Sequence, residues 1–406
     1  MDQGSGTGQY LVRKSRIGKR TRTSDNTTRK GLVQTMSMSN KLMALTVAGG
    51  LAISLAACSS GSSSTSSTGA AANAKCSAGI SMPTRSLERW INDGEGLQKL
   101  LKDAGCTVDL QYADNKTEQQ ISQIQNQVAS GANILVITAV DGKTLGQVLK
   151  DAKSSGATII AYDRLIDGTD AIDYHAGFDN VMVGKLQGQY IEKQLGLKEG
   201  KGPYNLEPFA GSPDDANAAG FFAGAWDVLL PYVKRGQLVV PSRKSPAADA
   251  NWPSIGILGW SSATAQAEME NRLSSFYASG KKVDVVLSPN DSLALGIEAA
   301  LTGAGYTVGK NWPLVTGQDG DAANVKAILQ GKQAMTVWKD TRVLRSTVAS
   351  MIASINAGTK VKTNATFNNG KKIVPSYQLA PEVVVKDDVK TKLIDSGFLK
   401  ASAVGL

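Results

Sequence analysis

Short apolar runs recur along this chain, and each is followed by a segment with helical spacing. Residues 134–138 (ILVIT), 158–162 (TIIAY) and 283–287 (VDVVL) are the clearest. A run this short, rich in β-branched residues and bounded by turn formers, reads as a strand buried on both faces. The segments between them repeat apolar residues three and four apart. Leu87, Trp90, Ile91, Leu97, Leu100 and Leu101 lie within 87–105; Ile121, Ile124 and Val128 lie within 118–130. With strands over 78–82 and 109–112 and a helix over 145–155, the pattern is βαβαβαβ, which predicts a parallel sheet with right-handed crossovers. A second series begins near Asp179. Helices are expected over 181–195, 215–230, 263–279, 293–303, 324–330 and 342–356. They alternate with strands over 204–209, 238–240, 283–287, 314–316 and 334–338. The expected class is therefore α/β, with two lobes built alike.

The ends of these strands are polar. Residues 159–164, IIAYDR, stop abruptly in Asp163 and Arg164. In open α/β sheets ligands sit beyond the carboxyl ends of strands. A carboxylate there accepts hydrogen bonds and a guanidinium donates several in a fixed fork, which suits a polyhydroxylated solute without strong charge. Alone, such a pair is as well read as a strand-end ion pair holding a loop. However, Asn290-Asp291, Gln318-Asp319 and Lys339-Asp340 end strands of the second series in the same way. Polar pairs on both series point to a cleft between two lobes. Several neighbours have a structural reading instead. Asp291 is placed to N-cap the helix from Leu293. Asp114 and Asp141 read as loop caps, Trp90 and Trp338 as packing, and His175, the only histidine, as structural.

The net charge of +9 belongs mostly to the first 57 residues, which hold nine Lys/Arg and two acids. The remainder carries 35 bases and 33 acids, so a nucleic-acid surface is not indicated. Residues 42–57 form an apolar stretch after Lys41, the length of a signal-peptide core rather than of a spanning helix. It runs into Leu55-Ala56-Ala57-Cys58, which resembles the lipobox of bacterial lipoproteins, where the Cys is lipidated. The Ser/Gly/Thr/Ala run that follows reads as a flexible tether. Cys76 and Cys106 each precede an expected strand. If those strands are parallel neighbours, their starts lie close enough for a disulfide, which export permits; two buried thiols fit equally well.

Ten stretches together carry a family resemblance: MPTRSLERW (82–90), QYADN (111–115), ILVITAVDG (134–142), IIAYDRLI (159–166), GFDN (177–180), GSPDDANA (211–218), LSPNDSLALG (287–296), GQDGD (317–321), MTVWKDTR (335–342) and VPSY (374–377). The chain resembles the periplasmic sugar-binding proteins of the ribose, galactose and xylose group, most of all the xylose and multiple-sugar receptors. This implies the type I periplasmic binding fold: two Rossmann-like lobes joined by a three-crossover hinge that closes on sugar. Carried over motif by motif, the implied sugar contacts are Arg89, Asp163, Arg164, Asp215, Asn217, Trp260, Asn290, Asp319 and Lys339. Ala216 stands where the family's loop has a first Asn, and 245–254 departs from the pattern ahead of Trp260. The implied organisation is a basic extension plus lipoprotein signal peptide (1–57), a tether (58–75), a first lobe (76–177 and 338–374) and a second lobe (178–337 and 375–406).

The expected role is capture of a monosaccharide of the xylose, glucose, galactose or arabinose class and its delivery to an ABC permease and, through it, an ATPase. The expected protein is an exported monomer anchored by Cys58 on the outer face of the membrane, with no cofactor, no metal and no catalytic residue. A sugar-sensing receptor in signalling or chemotaxis is the alternative. Three other classes lack their signatures. Met82-Pro83-Thr84-Arg85 stands where a dinucleotide enzyme carries a glycine loop. No G-x-S-x-G elbow or Cys/His cluster accompanies His175. A repressor would carry a helix-turn-helix where the signal segment lies.

Overall fold

The computed structural model describes residues 76–406. The basic extension, the signal segment, Cys58 and the 58–75 tether lie outside the described residues. Two sheets organise the rest. The first lobe begins with β1 (Ser77–Met82), α1 (Glu88–Asp103), β2 (Thr107–Tyr112), α2 (Thr117–Ala129), β3 (Ile134–Ile137), α3 (Gly146–Ser154), β4 (Thr158–Tyr162) and β5 (Tyr174–Phe178). The second contains α4 (Asn180–Gln194), β6 (Tyr204–Pro208), α5 (Ala216–Lys234), β7 (Leu238–Val239), α6 (Ser262–Phe276), β8 (Val285–Leu287), α7 (Asp291–Gly303), β9 (Leu314–Val315), α8 (Ala322–Leu329) and β10 (Thr336–Trp338). The chain then returns through α9 (Thr341–Asn356), β11 (Ala365–Asn368) and β12 (Ile373–Leu379), and leaves again for β13 (Glu382–Val384).

The first sheet has the order β11-β12-β5-β4-β3-β1-β2 and is parallel except for β11. Both faces of β3 and β4 are covered, as their unbroken apolar runs require. Ile134, Val136, Ile160 and Tyr162 pack with Leu97 and Leu101 of α1 and Leu344 and Val348 of α9. On the other face Leu135, Ile137, Ile159 and Ala161 pack with Val148 and Leu149 of α3. Each large side chain so buried contributes about 1.5–3 kcal/mol by leaving water. At the opposite edge from the cleft, Cys76 and Cys106 form a disulfide with a Cα–Cα distance of 4.7 Å. The parallel register brings them together, because Ser77 and Thr107 are paired neighbours.

The second sheet runs β7-β6-β8-β9, all parallel, while β10 pairs antiparallel with β13. Helices α4 and α5 pack backbone to backbone on it. A Cβ on Gly184 would lie 1.8 Å from the Phe221 carbonyl oxygen, and one on Gly224 2.0 Å from that of Val181. Only glycine allows this approach. Among the described residues no helix is long and apolar enough to cross a membrane.

Four strands depart from the sequence expectation: β5, β11, β12 and β13. Their residues alternate weakly and include Gly177 and Pro375, which local rules assign to turns or edges. Strands β5 and β12 pair with each other, and β13 with β10, across long stretches of chain, while β11 joins β12 as a hairpin. The lobe divisions expected at 177/178, 337/338 and 374/375 each fall within a strand, since β5 runs to Phe178, β10 to Trp338 and β12 to Leu379.

Candidate functional site

Strand β4 ends at the centre of the first sheet, so Asp163 and Arg164 emerge at the middle of the cleft. All nine candidate residues, Arg89, Asp163, Arg164, Asp215, Asn217, Trp260, Asn290, Asp319 and Lys339, line one cavity there. Leu87, Trp90, Phe221, Gln318 and Asp321 complete its walls. Three of the candidates are non-glycine residues in the left-handed region: Asp163 (φ 61°), Trp260 (φ 55°) and Asp319 (φ 105°). Such backbone persists only where the surroundings enforce it, and it gathers at binding sites.

The first-lobe wall is built from α1 and β4. Arg89, in the first turn of α1, is buried and donates to the Asp163 carboxylate and to Asp319 Oδ1 at 3.1 Å. Burial would lower its pKa, but Asp163, Asp319 and Asp93 outweigh this and raise it well above the ordinary value. Burial likewise pushes Asp163 up, and Arg89, Lys339 and Arg164 together bring it below the usual carboxylate range. Arg164 lies with its Nε 2.9 Å from Asp215 Oδ2 and donates from Nη1 to the Ala139 carbonyl at 2.8 Å. The guanidinium carbons of Arg89 and Arg164 stand 4.8 and 5.2 Å from the Trp90 ring centre, a cation–π arrangement.

The second-lobe wall consists largely of helix N-termini and strand ends. Asp215 N-caps α5, and Asn217 extends from its first turn. Asp215 accepts from the Asn217 amide at 2.9 Å and from Trp260 Nε1 at 3.1 Å, which fixes the indole plane. Burial raises the Asp215 pKa despite Arg164. Asn217 reaches across the cleft and donates from Nδ2 to Asp163 Oδ1 at 2.9 Å. Asp319 accepts from Lys339 Nζ at 2.9 Å, and Lys339 and Arg89 hold it below the usual range against the effect of burial. Asp321 is different: burial, with Asp319 and Glu88 nearby, pushes it up to about 8.

One structural expectation is corrected. Asp291 does not cap α7; Asn290 does, its Oδ1 accepting from the Leu293 amide at 3.0 Å. Asp291 instead is fully buried and accepts from the Gly320 and Asp321 amides, both at 3.0 Å, and from the Gln333 and Thr336 side chains. It thereby shapes the loop that carries Asp319. The helical spacing of Trp90 predicts packing; it does pack in the first-lobe core, yet its indole also faces the cavity. Phe221 and Asp321 went unmarked by sequence reasoning. Phe221 sits one helical turn beyond Asn217, a spacing that places both on one face of α5. His175 packs inside the first lobe against the Asp163 carbonyl and Phe367, and Trp338 against Phe398.

Direct pairs draw the walls together and leave a cavity of about 30 Å³. Arg89 with Asp319, Arg164 with Asp215 and Asn217 with Asp163 all cross between the lobes. Ligand groups inserted here would replace these pairs, donor for donor and acceptor for acceptor. Among the described residues no cluster of His, Cys, Asp and Glu could hold a metal ion.

Residues 78–360 match the periplasmic binding protein domain. The chain is 47% identical over 326 residues to the multiple sugar-binding periplasmic protein SbpA of Azospirillum brasilense, across 80% of this chain and 90% of that one. It is 37% identical over 336 residues to the D-xylose-binding periplasmic protein of Escherichia coli K12, across 82% and 94%. An ABC transporter solute-binding protein from Clostridium phytofermentans, solved with bound β-D-glucose, superposes with a TM-score of 0.77 at 47% identity, covering 81% of this chain and 99% of that one. The chain belongs to the periplasmic binding protein family, with the type I fold, and is a binding protein rather than an enzyme.

Proposed function

We propose that this member of the periplasmic binding protein family captures a neutral monosaccharide of the glucose and xylose class between its lobes. The convergence of the nine candidate residues from both lobes on one cavity carries the reading. Arg89, Arg164 and Lys339 balance Asp163, Asp215 and Asp319, so the wall offers many donors and acceptors with little net charge. That suits hydroxyls, which both donate and accept, and disfavours a sugar acid. The Trp90, Trp260 and Phe221 rings offer apolar faces for the C–H surfaces of a pyranose. Buried polar groups left unpaired cost about 1–3 kcal/mol each, so the site discriminates by hydroxyl pattern. The bound glucose of the solved relative and the sugar-binding names of the others support the class.

Sugar contacts made by both lobes at once favour the closed form over an open one. In this reading the closed protein, a monomer, delivers its sugar to an ABC permease while Cys58 anchors it to the outer face of the membrane. Calorimetric titration of the purified protein with a panel of aldoses and ketoses tests the binding claim. Micromolar or tighter affinity for one or a few of them is expected; silence across the panel overturns it. The anchor has its own test: Cys58→Ala abolishes partitioning into a detergent phase, and retained partitioning removes the anchor.

A further inference from the structure

Behind Arg89 lies a charged group that the sugar reading does not use. Asp93 follows Arg89 by one turn of α1 and is 0% exposed. Its Oδ2 is 3.6 Å from Arg89 Nε. Asp93 is not part of the cavity wall. Neither of its oxygens completes a hydrogen bond of good geometry, and Arg89 Nε and the Tyr162 hydroxyl also lack one. A buried carboxylate so poorly hydrogen-bonded is costly, and the charges of Arg89 and Arg345, with the Thr341 side chain, offset part of that cost. The groups facing it come from four elements. Arg89 is on its own helix, Arg345 and Thr341 on α9, Tyr162 and Asp163 at the end of β4, and Tyr112 on β2.

We propose that Asp93 is a positioning residue for Arg89, holding the guanidinium at the cavity wall from the side that no ligand reaches; this rests on the sugar reading above. The reason is competition. Arg89 has three carboxylate partners: Asp163, Asp319 and Asp93. Sugar hydroxyls can displace the first two, and Asp319 departs with the second lobe when the cleft opens. Asp93 stays with Arg89 on one rigid helix in every state. It orients a long side chain whose rotamers would otherwise have to be ordered by the ligand itself. Burial raises the Asp93 pKa against the pull of Arg89 and Arg345, so its charge is lost at a higher pH than an ordinary carboxylate's.

The test is sugar affinity against pH for the wild type and Asp93→Asn, with D-glucose and D-xylose as ligands. At pH 7.5 the variant is expected to bind about tenfold more weakly, the loss of one charge-assisted contact. As the pH falls, wild-type affinity should converge on that of the variant, because protonated Asp93 resembles Asn. Equal affinity at pH 7.5, or a ratio that stays constant down to pH 4, overturns the proposal. Should Asp93→Asn not fold, Arg345→Gln gives the same answer. It removes a cation that holds Asp93 ionised, so the acid-side loss of affinity moves to higher pH; an unmoved profile overturns the proposal. A wild type that binds neither sugar overturns the sugar reading itself. A wild type that binds, with Asp93→Asn its equal, overturns only the role of Asp93.

Discussion

Two buried charge clusters in this molecule use the same residue types to opposite ends. One lies in the core of the second lobe. Glu207 is fully buried and accepts from Ser242 Oγ at 2.6 Å, Tyr277 Oη at 2.7 Å and Arg272 Nη1 at 3.2 Å. Arg272 also donates to the Pro208 carbonyl and to Glu268, and its guanidinium lies 3.9 Å from the Phe209 ring centre. Every partner belongs to one lobe. The other cluster is the cleft, where Arg89, Asp163, Asp319 and Lys339 draw their partners from both lobes. Gln318 Oε1 there has no hydrogen-bond partner. A network closed within one lobe is fixed by folding. One that spans a hinge is remade whenever the hinge moves, and its spare hydrogen-bonding capacity is open to a ligand.

Loss of Arg272 has the largest expected effect. Arg272→Ala leaves Glu207 buried without its cation, which costs about 3–5 kcal/mol of stability. Urea denaturation should show that loss, while sugar affinity per folded molecule is retained; a loss below about 1 kcal/mol would mean the core cluster is as adjustable as the cleft. Arg164→Ala should do the reverse. Sugar affinity falls tenfold or more, from a lost charged contact of about 1.5–3 kcal/mol, with a smaller change in the ligand-free midpoint. Unchanged calorimetric affinity would remove Arg164 from the site.

Glu298 is a buried acid outside both clusters. Burial raises the Glu298 pKa to about 7, only partly offset by Lys332, and its Oε1 has no hydrogen-bond partner. The folded protein therefore holds a proton that the unfolded chain releases near pH 4.5. The stability this gives is complete below that pH and is lost as the pH rises through about 7. Glu298→Gln should remove the slope and be more stable than the wild type at pH 8, by about 1–2 kcal/mol. Denaturation at pH 5 and pH 8 measures it, and parallel curves for the two proteins would show that Glu298 does not titrate there.

The order of most elements and the parallel character of both sheets were legible in the amino-acid chain, and its resemblance to the sugar-binding family pointed to the nine residues that line the cavity. Those features are local. An apolar run of four or five residues, a helical spacing or a motif such as IIAYDR keeps its meaning wherever the segment lies. What only the tertiary structure decided depends on partners distant in sequence. Arg89 and Asp319 are 230 residues apart and meet in one ion pair. Strand β12 enters the first sheet against β5 although Pro375 argues locally for an edge or a turn. Asp291 carries a capping residue's signature, yet its carboxylate serves the loop from Gly320 and the side chains of Gln333 and Thr336. Trp90 faces the core and the cleft together, which a helical repeat cannot distinguish. Local pattern sets what a segment becomes, because propensity and periodicity act over a few residues. Pairing across the fold sets which of its polar atoms remain available to a ligand.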